Sequence, residues 1–314
     1  MNQYALYAVN IDNGGGGSDL FIDQISNYTL DPAFNRVLIA ADGAVDPTYV
    51  AVMGQNPKAR FTTSALATVL ATCGISGLAV AYDVDEPGAE MFFQALAEGG
   101  TRGGAGTNIK LTVAQGMLLP RTLSAPHNGV ASLELELIAT YDADAETPPD
   151  PIVIETSQNL SGTAGVSEVY TAGPVYVNGS QVEGVQNITL DFGITEVVVG
   201  SDGLVWPTYV AIQSRRPSIR VRTGHIDIVN TLGLTGAAQS GTNSVVYLRK
   251  VDEGGTRVAD ATEEHISFTI DEGHIGFDAV SGAHGEVLGT DVVITPTYDG
   301  VAAIMVISTT AALP

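Results

Sequence analysis

The chain contains a single cysteine, Cys73, and only three lysines among its 314 residues. One thiol cannot form an intramolecular disulfide, nor can it build a cysteine-based zinc site. Cations are scarce in general, since Lys and Arg number 13 against 35 Asp and Glu, which gives a net charge of −22. Tight binding to nucleic acid or to an anionic membrane needs clustered Lys and Arg, so neither is an expected partner.

Long apolar runs are missing as well. The longest, such as residues 301–307, are far shorter than the roughly 18 residues that cross a bilayer. The first residues show neither the basic segment nor the apolar stretch of a secretory signal. Because 45% of the residues are hydrophobic, the chain can build a core. We therefore expect a soluble protein that folds in a reducing compartment.

Motifs for catalysis and for metal or cofactor binding are missing too. The five histidines show no HExxH spacing, and the chain has no GxSxG nucleophile elbow. The glycine run at 14–17 lacks the Lys-Ser/Thr pair of a phosphate-binding loop. Asp142, Asp144 and Glu146 could share a calcium ion, although a solvated charge run is the favoured interpretation. We expect no enzymatic activity, no bound metal and no cofactor.

What the chain does contain is an internal repeat. Residues 27–63 and 187–223 align without a gap at an offset of 160, and 16 of the 37 positions are identical. The pentapeptide PTYVA occurs in both copies, and its tyrosines, Tyr49 and Tyr209, are expected to be core residues. Further along, EGGTR occurs twice and a late ATYD is matched by PTYD. Two copies are too few for a solenoid, so the repeat indicates a tandem pair of globular domains.

The repeat and a proline-rich break define the expected domains. TPPDP at 147–151 is the expected linker, and it separates domain 1–146 from domain 152–314. Most segments on both sides alternate apolar and polar residues with period two, as in LELELIATY at 133–141. We therefore predict a mainly β protein with two tandem homologous β-sandwich or barrel domains, each with one short α-helix.

Each half contains one helical signal. Thr63 and Ser64 can cap the first helix and Thr223 the second. Gly74 and Gly233 are expected to end them. The apolar positions expected to face inward are Leu66, Val69, Leu70 and Cys73 in the first copy, and Ile226, Val229 and Leu232 in the second.

Several features favour a role in assembly. Two loops rich in small residues, 11–21 and 155–174, are long enough to be functional. Exposed sheet edges usually carry Lys, which prevents pairing with other chains. Lys is nearly absent here, so the edges are available to neighbouring copies.

The segment RRPSIRVR at 215–222 concentrates four cations in an acidic chain. Period two places Arg220 and Arg222 on one face of a strand. One interpretation is a nucleic-acid patch. Because the rest of the chain is acidic, ion pairing with an acidic neighbouring subunit is the favoured interpretation.

The order of these features resembles the tail tube, or major tail, proteins of long-tailed bacteriophages. The shared pattern runs from the Asp-Gly turn and the PTYVA strand through the short helix to EGGTR and the ATYD strand. It recurs in each half and covers nearly all of the chain, but it includes no diagnostic set of functional residues. The resemblance implies six-membered rings of such domains, or trimers when the domain is doubled, which stack into a hollow tube.

By this resemblance, the chain is a structural virion protein of a phage tail, assembled in the bacterial host cytoplasm. Its partners are other copies of itself and other tail proteins. Genomic DNA is only a cargo, which an acidic lumen repels and keeps mobile. The long loops are expected to reach neighbouring subunits or rings. The candidate contact residues are Asp12, Gly14, Gly17, Asp19, Ser157, Asn159, Ser167, Tyr170, Arg215, Arg216, Arg220 and Arg222.

Two other functions stay open at this stage. A tandem β-sandwich can be a carbohydrate-binding or adhesin-like module, although 6% aromatic residues and one Trp offer few stacking surfaces. The chain can also be another virion component, such as a capsid decoration protein.

Overall fold

The computed structural model describes residues 3–11, 20–43, 45–80, 88–96, 104–141, 150–160, 168–200, 203–232, 237–239, 244–278, 280, 288–298, 300–301 and 303–314. Strand makes up 62% of the structure and helix 5%. The prediction of a mainly β protein is therefore confirmed.

The elements form two sets, which we call the first and second units. The first unit comprises β1 (Gln3–Ile11), β2 (Leu20–Ile22), β3 (Ile25–Asp31), β4 (Phe34–Ile39), β5 (Tyr49–Gln55), β6 (Lys58–Thr63), α1 (Leu66–Cys73), β7 (Leu78–Val80), β8 (Ala89–Leu96), β9 (Asn108–Val113), β10 (Gln115–Pro126), β11 (Ser132–Thr140) and β12 (Ile152–Gln158). The second unit comprises β13 (Val169–Val177), β14 (Ser180–Val182), β15 (Val185–Asp191), β16 (Ile194–Val199), β17 (Tyr209–Arg215), β18 (Ser218–Thr223), α2 (Asp227–Leu232), β19 (Ala237–Gln239), β20 (Ser244–Val251), β21 (His265–Ile270), β22 (Gly273–Phe277), β23 (Thr290–Pro296) and β24 (Val306–Ala311).

The two units pair their strands in the same order. Each has a five-stranded antiparallel sheet, ordered β12-β9-β8-β1-β2 in the first unit and β24-β21-β20-β13-β14 in the second. Each also has a separate two-stranded sheet, β4-β5 and β16-β17. This correspondence extends beyond the ungapped sequence repeat and supports the predicted tandem organisation.

A ten-stranded sheet contains strands of both units. Its order is β19-β22-β23-β18-β15-β10-β11-β6-β3, with β7 beside β10. The units meet where β15 pairs antiparallel with β10, from Thr122 opposite Asp191 to Pro126 opposite Asn187. The counterpart of β15 in the first unit is β3, which lies at the end of this sheet. One continuous sheet thus joins the units, and their buried hydrophobic side chains form a single cluster.

The first predicted helix is confirmed in its bounds and its buried face. Leu66, Val69, Leu70 and Cys73 are all buried in α1, and burial raises the pKa of the Cys73 thiol to about 12. The predicted side-chain cap is misplaced, because Thr63 Oγ1 accepts a hydrogen bond from Ala65 N at 3.0 Å, before the helix, rather than from the first helical N–H groups. Glu168 of the second unit caps the helix instead, with Oε1 accepting hydrogen bonds from Ala67 N at 2.9 Å and Thr68 N at 3.4 Å.

The second predicted helix is confirmed only in part. Leu232 is buried in α2, but Ile226 precedes the helix and is exposed. Thr223 Oγ1 accepts a hydrogen bond from His225 N at 3.0 Å, before the helix begins. The predicted stop at Gly233 lies outside the described residues.

The pairing of β12 bears on the expected linker. β12 follows the break predicted at 147–151, yet it pairs antiparallel with β9, and Ile152 lies opposite Val113. The first unit therefore continues to the end of β12. The loop predicted over 155–174 is correspondingly wrong at both ends, because β12 extends to Gln158 and β13 begins at Val169.

Candidate assembly surfaces

Two β-hairpins with the same internal pairing stand out from the larger sheets. Hairpin 1 consists of β4 and β5 (residues 34–55), and hairpin 2 consists of β16 and β17 (residues 194–215). Arg36 lies opposite Val52 in hairpin 1, as Glu196 lies opposite Ile212 in hairpin 2. Both hairpins also have the same register shift one residue earlier. They are counterparts at the offset of 160.

Hairpin 2 is seated on the first unit. One of its faces carries Ile194 and Val198 of β16 with Val210 and Ile212 of β17. Ile194 is buried, and the other three side chains pack against the hydrophobic core. This hairpin contacts β10 and β11. Its apolar inner face therefore helps to hold the two units together.

An ionic cluster lies in the same contact. Arg121 Nε is 2.7 Å from Glu136 Oε2, and Arg121 Nη2 is 2.8 Å from Glu196 Oε2. Lys58 Nζ lies 3.1 Å from Glu136 Oε1 and 2.8 Å from Glu196 Oε1. Arg121 Nη1 also donates to the backbone O of Ile194 at 2.8 Å. Glu136 is only 1% exposed, and these cations compensate its buried charge.

The carboxylates of this cluster stay ionised. Burial opposes the charged form of Glu196, but hydrogen bonds from Lys58 and Arg121 outweigh it and lower the pKa to about 2. Burial likewise opposes the charged form of Glu136, and its hydrogen bond and ion pair with Arg121 hold the pKa below its ordinary value. The contact between hairpin 2 and the first unit is thus charged on both sides.

Backbone hydrogen bonds fix the far end of hairpin 2. The N–H of Gln55 donates to the O of Val205 at 2.8 Å. The N–H of Tyr141 donates to the O of Pro207 at 2.7 Å. These bonds attach the turn of hairpin 2 to the base of hairpin 1 and to the end of β11.

Hairpin 1 presents the equivalent face to solvent. Its positions equivalent to Ile194, Val198, Val210 and Ile212 are Phe34, Leu38, Val50 and Val52. All four are exposed, with fractions of 44%, 63%, 56% and 42%. Between them, the Arg36 guanidinium lies 4.7 Å from the centre of the Phe34 ring. A contiguous exposed apolar surface of this kind is typical of a protein–protein contact.

The opposite faces of the two hairpins are exposed in both units. They carry Val37 and Tyr49 in hairpin 1, and Val197 and Tyr209 in hairpin 2. The expectation that Tyr49 and Tyr209 are core residues is therefore wrong. The PTYVA motif leads into the second strand of each hairpin, and its tyrosine is on the face that is exposed in both units.

The predicted loop contacts are only partly described. Asp12, Gly14, Gly17, Asp19 and Ser167 lie outside the described residues.

The other loop candidates have defined surroundings. Ser157 is exposed on β12, with a positive φ of 61°. Asn159 is exposed, and its Oδ1 accepts a hydrogen bond from Gly106 N at 2.9 Å. Tyr170 is the exception, because it is buried on β13 with 1% exposure. The prediction that Tyr170 makes a loop contact with a neighbour is wrong, since a β13 side chain facing the core cannot reach outward.

The four candidate arginines lie close together in the chain, two at the end of β17 and two on β18. Arg215 and Arg216 are exposed at the base of hairpin 2, and Arg215 Nη1 donates to Ser76 Oγ at 2.6 Å. Arg220 and Arg222 both pair with Asp291, as expected for one face of β18. Arg220 also pairs with Asp278. The described ion pairs of Arg220 and Arg222 are thus with acids of the same chain, and pairing with a neighbouring subunit stays a prediction.

The exposed apolar face of hairpin 1 was not predicted from the sequence. The sequence did contain a signal for this face, because the two strands of hairpin 1, FNRVLI and YVAVM, carry apolar residues on both faces. Such runs are typical of strands buried on both sides.

Comparison with known proteins adds no family assignment. No protein-family model matches the chain, and no curated protein matches it in sequence. Across the described residues, no helix is long and apolar enough to cross a membrane. The same residues include no group of three or more His, Cys, Asp or Glu placed to hold a metal ion.

Proposed function

We propose that this chain is a structural virion protein whose copies form the stacked trimeric rings of a phage tail tube. Each ring then contains six similar units, two from each chain. The tube conducts DNA without binding it, because a lumen lined with carboxylates repels phosphate. The proposal extends the resemblance found in the sequence.

The exposed apolar face of hairpin 1 is the observation that carries the proposal. Its counterpart in the second unit is covered by the first unit of the same chain, so this kind of face serves as a contact between units. A monomer leaves one such contact unmade for each chain. A contact between two different surfaces generates a ring when the rotation between copies closes.

The charge and the sheet edge support the same function. The net charge of −22 suits a conduit that must not retain DNA. The end position of β3 in the ten-stranded sheet leaves the counterpart of the β15–β10 junction available to another copy. A carbohydrate-binding module needs neither feature.

The first prediction concerns assembly of the purified chain. We expect mass photometry to detect trimers, and negative-stain electron microscopy to show rings and stacked rings. The double variant Leu38→Asp/Val50→Asp is expected to raise the dissociation constant of the assembly by about 10- to 100-fold or more, because burying one such side chain contributes about 1.5–3 kcal/mol.

Val130→Asp is the matched control for this experiment. Val130 is also exposed, in the turn between β10 and β11, and its substitution should leave assembly unchanged. A wild-type chain that stays monomeric at high concentration contradicts the proposal. Binding of that monomer to a glycan array would support the carbohydrate-binding alternative instead.

A further inference from the structure

We infer that copies of this chain associate head to tail, with hairpin 1 of one copy seated on β22 and β23 of the next. Hairpin 2 is seated on β10 and β11 of its own chain, and the contact between copies repeats that arrangement. The inference rests on the proposed function in one respect, because it takes a second copy of the chain as the partner.

The face of the second unit that would receive hairpin 1, on β22 and β23, is exposed. Its counterpart in the first unit, on β10 and β11, is covered by hairpin 2. At an offset of 157, Val293 and Thr295 of β23 correspond to Glu136 and Ile138 of β11. Glu136 and Ile138 are buried, whereas Val293 is partly exposed and Thr295 is exposed. The outer face of β23 is therefore available, and it has Val293 where β11 has Glu136.

Each of the two contacts pairs a cation with an anion, but the equivalent positions carry opposite signs. Glu196 of hairpin 2 corresponds to Arg36 of hairpin 1, and Arg121 of β10 corresponds to Asp278 just after β22. Inside the chain, Arg121 and Glu196 form an ion pair at 2.8 Å. Between copies, Arg36 and Asp278 form the same pair with the charges exchanged. The Asp278 side chain is 49% exposed beside Arg220, so a second cation can reach it.

The turn of hairpin 1 also has a counterpart contact. Val45 corresponds to Val205, whose O accepts a hydrogen bond from Gln55 N inside the chain. Gln55 in turn corresponds to Arg215, so the N–H of Arg215 is the expected donor to Val45 of the neighbouring copy. Val45 is 97% exposed, and an open groove of about 1270 Å³ lies beside Arg215 and Tyr298. This groove is large enough to receive a turn of the neighbouring chain.

Engineered disulfides test the register of this contact. One chain carries Val45→Cys and a second carries Arg215→Cys, and the two are mixed and oxidised. The native Cys73 is buried and does not compete. We expect a disulfide between the two different variants, because the expected backbone hydrogen bond brings the two Cα atoms within roughly 7 Å, the separation beyond which a disulfide cannot form. The control is the double variant Gln55→Cys/Val205→Cys, which should close a disulfide within one chain.

The outcomes separate this inference from the proposed function. Disulfide dimers formed by either single variant alone, at the yield of the mixture, indicate a two-fold contact and overturn the inference. Rings without any disulfide between the mixed variants also overturn it, while leaving the tail tube proposal standing. Disulfide-linked dimers of the two different variants, without rings or stacks, support the inference and contradict the tube.

Charge exchange tests the ion pair independently. We expect Arg36→Asp and Asp278→Arg each to raise the dissociation constant of the assembly by about tenfold, because each places like charges opposite one another. The double variant should recover to within about threefold of the wild type. Arg257→Glu, at an exposed cation of the second unit, should have little effect. Additive losses in the double variant contradict the pairing of Arg36 with Asp278.

Discussion

At the residue scale, two equivalent positions of the hairpins carry opposite charges. Glu196 faces Arg121 and Lys58 inside the chain, where it forms part of the contact between units. Arg36 occupies the same position on hairpin 1, and we propose that it pairs with Asp278 of the next copy. With these charges, each hairpin is attracted to its own receiving face. Hairpin 1 is disfavoured on the receiving face of hairpin 2, because Arg36 would then lie opposite Arg121 and be repelled.

The low pKa of Glu196 predicts a dependence of stability on pH. A carboxyl whose pKa drops from 4.5 to about 2 on folding stabilises the fold fully above pH 4.5. This stabilisation is lost as the pH falls towards 2. Glu196→Gln should therefore lower the free energy of unfolding by about 1.5–3 kcal/mol at pH 6, and by progressively less towards pH 2.

Urea unfolding at pH 6, 4 and 3 measures this difference. Glu253→Gln is the control, because Glu253 is exposed in the turn after β20 and should change little at any pH. A loss in Glu196→Gln that stays constant between pH 6 and pH 3 would contradict the assigned role of the carboxylate.

At the element scale, each hairpin begins from the same tight turn. Asp31 Oδ1 accepts a hydrogen bond from Ala33 N at 2.8 Å, and Asp191 Oδ1 accepts one from Gly193 N at 2.8 Å. Ala33 and Gly193 both have positive φ values, of 45° and 57°. The turn directs the chain out of the ten-stranded sheet and into the hairpin. Its geometry thus sets how hairpin 2 meets the first unit.

Gly193→Ala is predicted to destabilise the protein strongly. A Cβ at this position would lie 2.0 Å from the backbone O of Arg216, so the seat of hairpin 2 must shift. We expect a loss of about 2–4 kcal/mol in the free energy of unfolding, measured with urea. Gly203→Ala is the control, because Gly203 has a φ of +71° but no heavy atom within 4 Å of the added Cβ. It should cost about 1–2 kcal/mol, and equal losses in the two variants would contradict the steric argument.

At the scale of the whole molecule, charge and assembly act against each other. Each copy carries a net charge of −22, so copies repel one another at low ionic strength. The pair proposed between Arg36 and Asp278 is a single ion pair, whereas two whole copies bring their full negative charges together. Repulsion between whole copies should therefore dominate the dependence on salt.

Assembly is accordingly predicted to strengthen as salt is raised. Increasing NaCl from about 0.05 to 0.5 M shortens the Debye length severalfold and screens the repulsion. Mass photometry across this range should show more assembled protein at higher salt, and fluorescence anisotropy should detect no binding of duplex DNA at any of these concentrations. Weaker assembly with added salt, or DNA binding that salt abolishes, would contradict this account.

The sequence by itself determined the mainly β character, the first helix and the correspondence between the halves. Period-two alternation and helical spacing depend on neighbouring residues, as in the strand Ser132–Thr140 and the buried face of α1. The ungapped repeat likewise identified the counterpart of every hairpin residue, including Arg36 and Glu196.

Only the tertiary structure decided how the units join. Glu168 caps a helix about a hundred residues earlier in the chain, β12 pairs across the expected linker, and β15 pairs with β10 of the other unit. Each of these contacts depends on which unpaired strand edge or helix end comes within reach after folding. For the same reason, two hairpins of similar sequence differ in burial, because one has the other unit beside it and the other faces solvent.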